Sequence, residues 1–166
     1  MSKDIFGLTA EAVYSSHMSE VFLPTHHRAL SPQNIMSLLE RYAEHARECV
    51  LNAINKLDGQ SSPLVPFVVP PAYCAASYAF FGRAFDAEKS YKPFRQFDKQ
   101  FHLMAAGVPR YMLPGASRAW DKVVGMFEQY LEVPHEDCSD LISLLEMDAR
   151  DAGWVCGFYC IFAGPI

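Results

Sequence analysis

Residues 31–59, SPQNIMSLLERYAEHARECVLNAINKLDG, carry the clearest structural signal in this chain. Ser31 followed by Pro32 is typical of a helix N-cap with proline at the first helical position. Apolar residues then recur at helical spacing, and Glu and Arg side chains fill the opposite face. Asp58-Gly59 ends the pattern. We therefore expect one long amphipathic helix over 32–57, with these apolar positions: Ile35, Leu38, Leu39, Tyr42, Ala46, Val50, Ile54 and Leu57.

A second helix is expected after a loop at 60–63. Residues 63–82 contain no charged side chain, and a segment of that length could cross a bilayer. Its first half, however, holds four prolines, which argue against a continuous helix there. We interpret the segment as an extended lead followed by a buried helix over 70–81 in the middle of a bundle. The prolines are Pro63, Pro66, Pro70 and Pro71.

Four more helices are predicted beyond residue 82. Asp86 is expected to cap only a short turn, and Pro93 to open a helix that runs to Ala106 and stops at Gly107. The others are expected over 115–133, 139–147 and 148–164. Residues 1–30 are predicted to be irregular, with short helical pieces at best. Because alternating β-branched runs are few, the predicted fold class is all-α.

The composition restricts the functional classes. With 166 residues, 51% of them hydrophobic, the chain fits one compact domain over 1–166 or part of a larger one. Its net charge of −5 argues against nucleic-acid binding. The first seven residues, MSKDIFG, lack the apolar core of a signal peptide. An odd number of cysteines, five, with no C-x-x-C pair favours a reduced, intracellular chain.

The residues alone indicate no complete active site. The densest set of metal-ligand types is Glu40, Glu44, His45 and Glu48. A di-iron site needs E-x-x-H on each of two helices, and no such pair exists here. The neighbouring Arg41 and Arg47 favour ion pairs along the helix surface instead. Asp98 and His102 lie one turn apart, which predicts a surface contact rather than a catalytic pair. No nucleophile elbow, phosphate-binding loop or dinucleotide-binding motif occurs.

Several segments, taken in order, resemble the middle of a cytochrome P450. FLPTHHRALSP at 22–32 resembles the start of that family's C helix, and YAFFGRAF at 78–85 the end of its E helix. The most specific match is FRQFDKQF at 94–101 followed by AAGVP at 105–109. It resembles the F helix and F–G loop of the branch with sterol 7α-hydroxylases and prostacyclin synthase, and of similar fungal P450s. The resemblance implies a partial P450 fold from helix C to the first half of helix I, an incomplete orthogonal helix bundle.

The resemblance also implies a function and its residues. The family consists of haem-thiolate monooxygenases, oxidoreductases that bind haem iron, and this branch suits an apolar, sterol- or lipid-like substrate. Cytochrome P450 reductase is the partner of intact homologues, and the endoplasmic-reticulum membrane is their usual location. His27 and Arg28 would contact a haem propionate. The substrate cavity would be roofed by Phe94, Phe97, Phe101, Met104 and Ala106. Val155, Tyr159 and Phe162 would face the distal side of the haem, and Ala163 and Gly164 would be a remnant of the family's oxygen groove.

The sequence departs from the family pattern where iron is bound. The E-x-x-R pair of the family's K helix has no counterpart here, since the E-x-x-R spacing of Glu44 and Arg47 lies in the helix that resembles C and D. The F-x-x-G-x-x-x-C-x-G loop and the family's membrane anchor do not occur in residues 1–166. No cysteine has the surroundings of the ligand loop, although the chemistry needs a thiolate on iron. The cysteines are Cys49, Cys74, Cys138, Cys156 and Cys160, and the last two read as small buried helix residues.

We therefore expect that this chain alone holds no haem stably and hydroxylates nothing. The apolar helices predicted over 70–82 and 149–164 would leave open faces, and such faces favour self-association or a peripheral membrane contact. Two alternatives to a P450 fragment stay open. The first is a non-catalytic helical protein that holds a lipid or sterol. The second is an interaction or regulatory protein derived from a P450.

Overall fold

The computed structural model describes residue 20 and residues 23–133, 137–140 and 142–144. Within these ranges the chain forms helices and no strand, which confirms the all-α class. The α-helices are α1 (Leu23–Ala29), α2 (Pro32–Leu57), α3 (Leu64–Phe81), α4 (Ala87–Ala105) and α5 (Pro114–Glu132), with a 3-10 turn at Arg110–Met112. Residues 140 and 142–144 are helical, inside the short helix predicted over 139–147. The predicted helix over 148–164 lies outside the described residues.

The long helix α2 has the predicted boundaries. Ser31 is extended, and its carbonyl accepts the N–H of Ile35 at 2.9 Å. Pro32 follows as the first helical residue, where the missing N–H costs nothing. At the other end Asp58 and Gly59 turn into the left-handed region, with φ of 46° and 77°. The local signals at both ends therefore determine this helix.

Helix α3 begins at Leu64, so the prediction of an extended lead over its first half was wrong. Pro66 lies in the first turn, where backbone N–H groups have no helical partner in any case. Pro70 and Pro71 are interior and remove two helical hydrogen bonds. The carbonyl groups that lose these partners belong to the exposed first half, where Leu64 is 73% exposed. Water can therefore replace the missing donors, and the helix continues.

Only the C-terminal half of α3 lies in the middle of the bundle. Its buried residues are Pro71, Cys74, Ala75, Ser77 and Ala79. These contact α2 on one side and α4 on the other. Within the described residues α3 is long and apolar enough to cross a membrane, a test that a soluble core helix also passes.

Helix α4 begins at Ala87, six residues before the predicted start. The Asp86 carboxylate accepts the backbone N–H of Lys89 at 3.1 Å, so it caps a full helix rather than a short turn. Pro93 is interior and leaves one carbonyl without its helical donor. The turns before Pro93 persist because they bury Ala87 and Ser90 against neighbouring helices. The Ser90 hydroxyl lies 2.9 Å from the Tyr73 hydroxyl of α3.

The C-terminus of α4 is as predicted and forms a Schellman motif. Gly107 has φ of 86°, and its N–H donates to Met104 O at 2.9 Å. Val108 donates to Leu103 O at 3.0 Å, and the Val108 side chain packs on the cluster around Met104. The chain then reverses through the 3-10 turn into α5, which packs along α4.

Residues 137–140 are held against the ends of α2 and α3. Arg41 donates from Nε to Ala79 O at 3.2 Å and from a terminal nitrogen to Asp137 O at 2.6 Å. Ser139 donates its N–H to Phe80 O at 2.8 Å. Arg41 therefore joins three segments of the chain, and the predicted pairing of Arg41 along the surface of α2 was wrong.

Candidate functional site

The aromatic side chains proposed as a substrate roof lie between helices. The Phe97 ring is 5.5 Å from that of Phe101 and 4.9 Å from the Trp120 ring of α5. Met104 is buried in a cluster with Leu113 and Ala116 that Phe97 also contacts. The structure therefore brings Phe97, Phe101 and Met104 together at the α4–α5 interface.

The remaining roof residues lie elsewhere. Phe94 packs its ring 4.9 Å from Tyr73 of α3, and Ala106 is exposed at the end of α4. The cavities among the described residues include a small one of about 70 Å³ beside Arg41 and a groove of about 480 Å³. Neither is lined by a roof residue.

The other predicted site residues are not brought together. His27 and Arg28 are exposed on α1, and neither lines a cavity. Asp98 pairs with Arg95, whose guanidinium lies 3.0 Å from it, so the predicted contact with His102 is replaced by an ion pair. The distal residues lie outside the described residues, and so does the cysteine pair of the same segment. They are Val155, Tyr159, Phe162, Ala163, Gly164, Cys156 and Cys160.

Sequence reasoning missed the groove of about 480 Å³ between α2, α3 and the start of α4. Ala53 of α2 and Pro70 and Pro71 of α3 line the groove beside the loop at 58–63, and their short side chains leave space between the two helices. Short side chains at these positions were the available signal in the sequence. The lining is Glu48, Cys49, Asn52, Ala53, Lys56, Leu57, Ser62, Pro66, Phe67, Pro70, Pro71, Cys74, Tyr78, Arg83, Glu88 and Tyr91.

Four charged side chains line the groove and form two ion pairs. Glu48 of α2 binds Arg83 after α3, and the Arg83 guanidinium lies 5.5 Å from the centre of the Tyr78 ring. Lys56 and Glu88 form the second pair at 3.8 Å. Opposite charges therefore balance around the groove.

The four residues of metal-ligand types noted on α2 are not gathered into a site. Glu48 is occupied by Arg83, and the His45 ring packs 5.8 Å from the Tyr78 ring. Glu40 and Glu44 are exposed. In the part of the chain that the structure describes, no three His, Cys, Asp or Glu side chains come together to hold a metal ion.

Two thiols line the groove, and burial disfavours the thiolate form of both. Burial raises the pKa of Cys74 from its ordinary value of 9.0 to about 11, and the nearby Cys49 thiol adds to the effect. Burial, followed by the Glu48 charge, also raises the pKa of Cys49. A raised pKa means that the protonated thiol is favoured by the fold. This contribution to stability is complete below pH 9 and is lost as the pH rises through 11.

We expect Cys74 to react slowly with alkylating reagents in the folded chain, because only the thiolate is the nucleophile. Its iodoacetamide rate should keep rising with pH up to about 11. In the urea-unfolded chain the same rate should level off near pH 9, which serves as the control. Peptide mass spectrometry measures both profiles. Identical profiles in the folded and unfolded chains would contradict the burial of this thiol.

The described residues do not fit a haem group. A haem of the P450 type needs a thiolate ligand, and the raised pKa values of Cys49 and Cys74 oppose that form. Cys138 lies beside the small cavity of about 70 Å³, which is too small for a porphyrin. The cationic pair His27 and Arg28 lines neither that cavity nor the groove. The described residues therefore offer no basis for a haem-dependent reaction.

Comparison with known proteins gives no relative. No family model matches the chain, and no curated protein or solved structure matches it either. Function therefore rests on the residues and their geometry.

Proposed function

We propose that this chain is a helical segment of a haem-thiolate monooxygenase of the cytochrome P450 type, and that it does not oxidise a substrate by itself. The observation that carries the proposal is the α4–α5 pair. The residues with the most specific resemblance, 94–101 and 105–109, form a helix, a Schellman stop and a turn into a second helix. A helix, loop and helix are what the resemblance implies for that stretch.

The chemistry of the α4–α5 interface supports an apolar substrate class. The rings of Phe97, Phe101 and Trp120 pack at tilted angles between the two helices, and Met104 is buried beside them. An interface of this kind would keep water away from one side of a bound substrate, which suits an apolar molecule. On this proposal α4 and α5 contribute packing and shape, while the iron ligand comes from residues outside 1–166.

A haem titration tests the expected lack of activity. We expect the purified chain, mixed with ferrous haem and carbon monoxide, to give no spectrum of sulfur-ligated haem, because burial disfavours the thiolate forms of Cys49 and Cys74 and no cysteine has the surroundings of the family's ligand loop. An intact P450 treated identically is the positive control. A thiolate-type carbonyl spectrum from the chain alone would overturn the claim of inactivity.

The complete transcript tests the kinship itself. We expect it to encode, in frame and after residue 166, a further E-x-x-R pair followed by a cysteine ligand loop. A complete transcript without the cysteine ligand loop would contradict the proposed ancestry, whatever the haem titration shows.

A second candidate function, an interaction module, is favoured by an apolar stripe on α2. Leu39 is 51% exposed and Ile54 49% exposed, and both lie on one side of the helix with Ile35 and Val50. Leu64 of α3 is exposed as well. Burying such side chains is worth about 1.5–3 kcal/mol each, so contact between two copies of the chain would be favourable.

We expect the chain to associate reversibly as its concentration rises, and L39K/I54K to weaken this association at least tenfold. The reason is that both lysines would have to lose hydration in the contact. Sedimentation velocity measures the association constant. The matched control is E40K/N55K, which places lysines at neighbouring exposed positions. A wild-type chain that stays monomeric at every concentration would remove the basis for this candidate.

A further inference from the structure

We propose that the groove between α2, α3 and α4 is a binding site for a neutral, largely apolar small molecule with a hydrogen-bonding end group. This goes beyond the proposed function, because the groove shares no lining residue with the α4–α5 interface. The two sites can therefore succeed or fail independently.

The size and surface of the groove suit such a ligand. Its volume of about 480 Å³ lies within the range of about 300–1,000 Å³ typical of small-molecule sites. Its apolar lining is Cys49, Ala53, Leu57, Pro66, Phe67, Pro70, Pro71 and Cys74. Phe67 and Tyr91 offer aromatic faces, and the helices that carry them are themselves packed together. The groove is therefore present before any ligand binds.

The charges around the groove favour a neutral molecule. Each cation already has an anion: Arg83 has Glu48, and Lys56 has Glu88. A charged ligand would meet only charges that already have a partner, and it would lose part of its hydration against the apolar part of the lining, which is unfavourable. Polar recognition is available instead from the Asn52 amide and the Ser62 hydroxyl, which lie in the lining. Such uncharged groups fix the orientation of a ligand end group.

The two thiols that line the groove can report whether the groove is occupied. Cys49 and Cys74 line the groove, whereas Cys138 lies beside the small cavity near Arg41. A molecule seated in the groove covers the first two thiols and leaves the third open. Alkylation measured at each cysteine therefore locates a bound molecule without a structure of the complex.

The experiment uses prodan, a neutral naphthalene ketone whose fluorescence rises in apolar surroundings. The full chain is titrated with prodan and, separately, with the anionic anilinonaphthalene sulfonate. We expect prodan to bind at least tenfold more tightly than the anion. At saturating prodan, the rate of N-ethylmaleimide modification should fall at least fivefold at Cys49 and stay unchanged at Cys138.

Two variants separate groove binding from adsorption elsewhere. Ala53→Trp fills the groove from α2 and should weaken prodan binding at least tenfold. Asn55→Trp, at an exposed position of the same helix outside both the groove and the apolar stripe, should leave it unchanged. Because Ala53→Trp has to fold for this comparison, the protection of Cys49 in the wild-type chain is a test that needs no variant.

Three results would overturn the proposal. Prodan bound at the apolar stripe of α2 would raise fluorescence while Cys49 reacted at its normal rate. Equal affinity for the anionic probe would contradict a neutral site. Equal loss of binding in Asn55→Trp and Ala53→Trp would show that the groove is not where prodan binds. None of these results bears on the transcript or the haem titration.

Discussion

Replacing Gly82 by alanine is expected to destabilise the fold by about 2–5 kcal/mol. Gly82 has φ of 69° and ψ of −174°, a conformation that is essentially restricted to glycine. It is buried, and its N–H donates to Tyr78 O at 2.9 Å at the end of α3. An added Cβ would overlap the carbonyl of Asp137, whose carbon would lie 2.8 Å away. Backbone strain and this overlap therefore act together.

Urea unfolding of G82A measures this loss, and G59A is the matched control. Gly59 also has positive φ, at 77°, but no heavy atom lies within 4 Å of a Cβ built there. G59A should therefore cost only the backbone strain, about 1 kcal/mol. If G82A and G59A lost the same stability, the close approach of Asp137 to the end of α3 would be disproved.

Replacing Phe85 by alanine should cost about 3–5 kcal/mol of unfolding free energy, the second large effect. Phe85 is only 2% exposed, between the end of α3 and the start of α4. Its ring stacks 4.9 Å from the Phe127 ring of α5 and lies 5.0 Å from that of Phe81. Three helices therefore meet on this one side chain, and its removal leaves a cavity between them.

Since such a loss approaches the whole stability of a typical domain, Phe85→Leu provides a milder test. It keeps most of the apolar volume and should lose clearly less than Phe85→Ala. Tyr111→Ala is the surface control: Tyr111 is 83% exposed, so a change within about 0.5 kcal/mol is expected. Equal stabilities of all three variants in urea unfolding would contradict the core at Phe85.

Proline shows where local rules mislead. The prediction for α3 and α4 counted the hydrogen bonds that Pro70, Pro71 and Pro93 remove and placed helix starts at them. The rule that proline ends a helix does not consider whether water can reach the freed carbonyl. It also does not consider which side chains the preceding turn buries. In α3 the affected turns are exposed, and in α4 they bury Ala87 and Ser90. Both helices therefore continue through their prolines.

The partners of charged and aromatic side chains could not be predicted from the sequence either. Arg41 and Glu48 have neighbours of opposite charge on α2, yet each binds a residue on another segment, Asp137 and Arg83 respectively. The aromatic stripe of α4 was correctly seen as apolar, but its neighbours Trp120 and Tyr73 come from two different helices. Periodicity shows which face is apolar and does not show what lies opposite.

The helical class, the full length of α2 and the stop of α4 at Gly107 can be predicted from the amino-acid sequence. They depend on residues within a few positions of each other, where capping and positive φ act locally. The groove, the two ion pairs beside it and the need for glycine at position 82 arise from the packing of the folded chain. Each of these requires atoms from segments far apart in the chain, and their approach is set by the packing of whole helices.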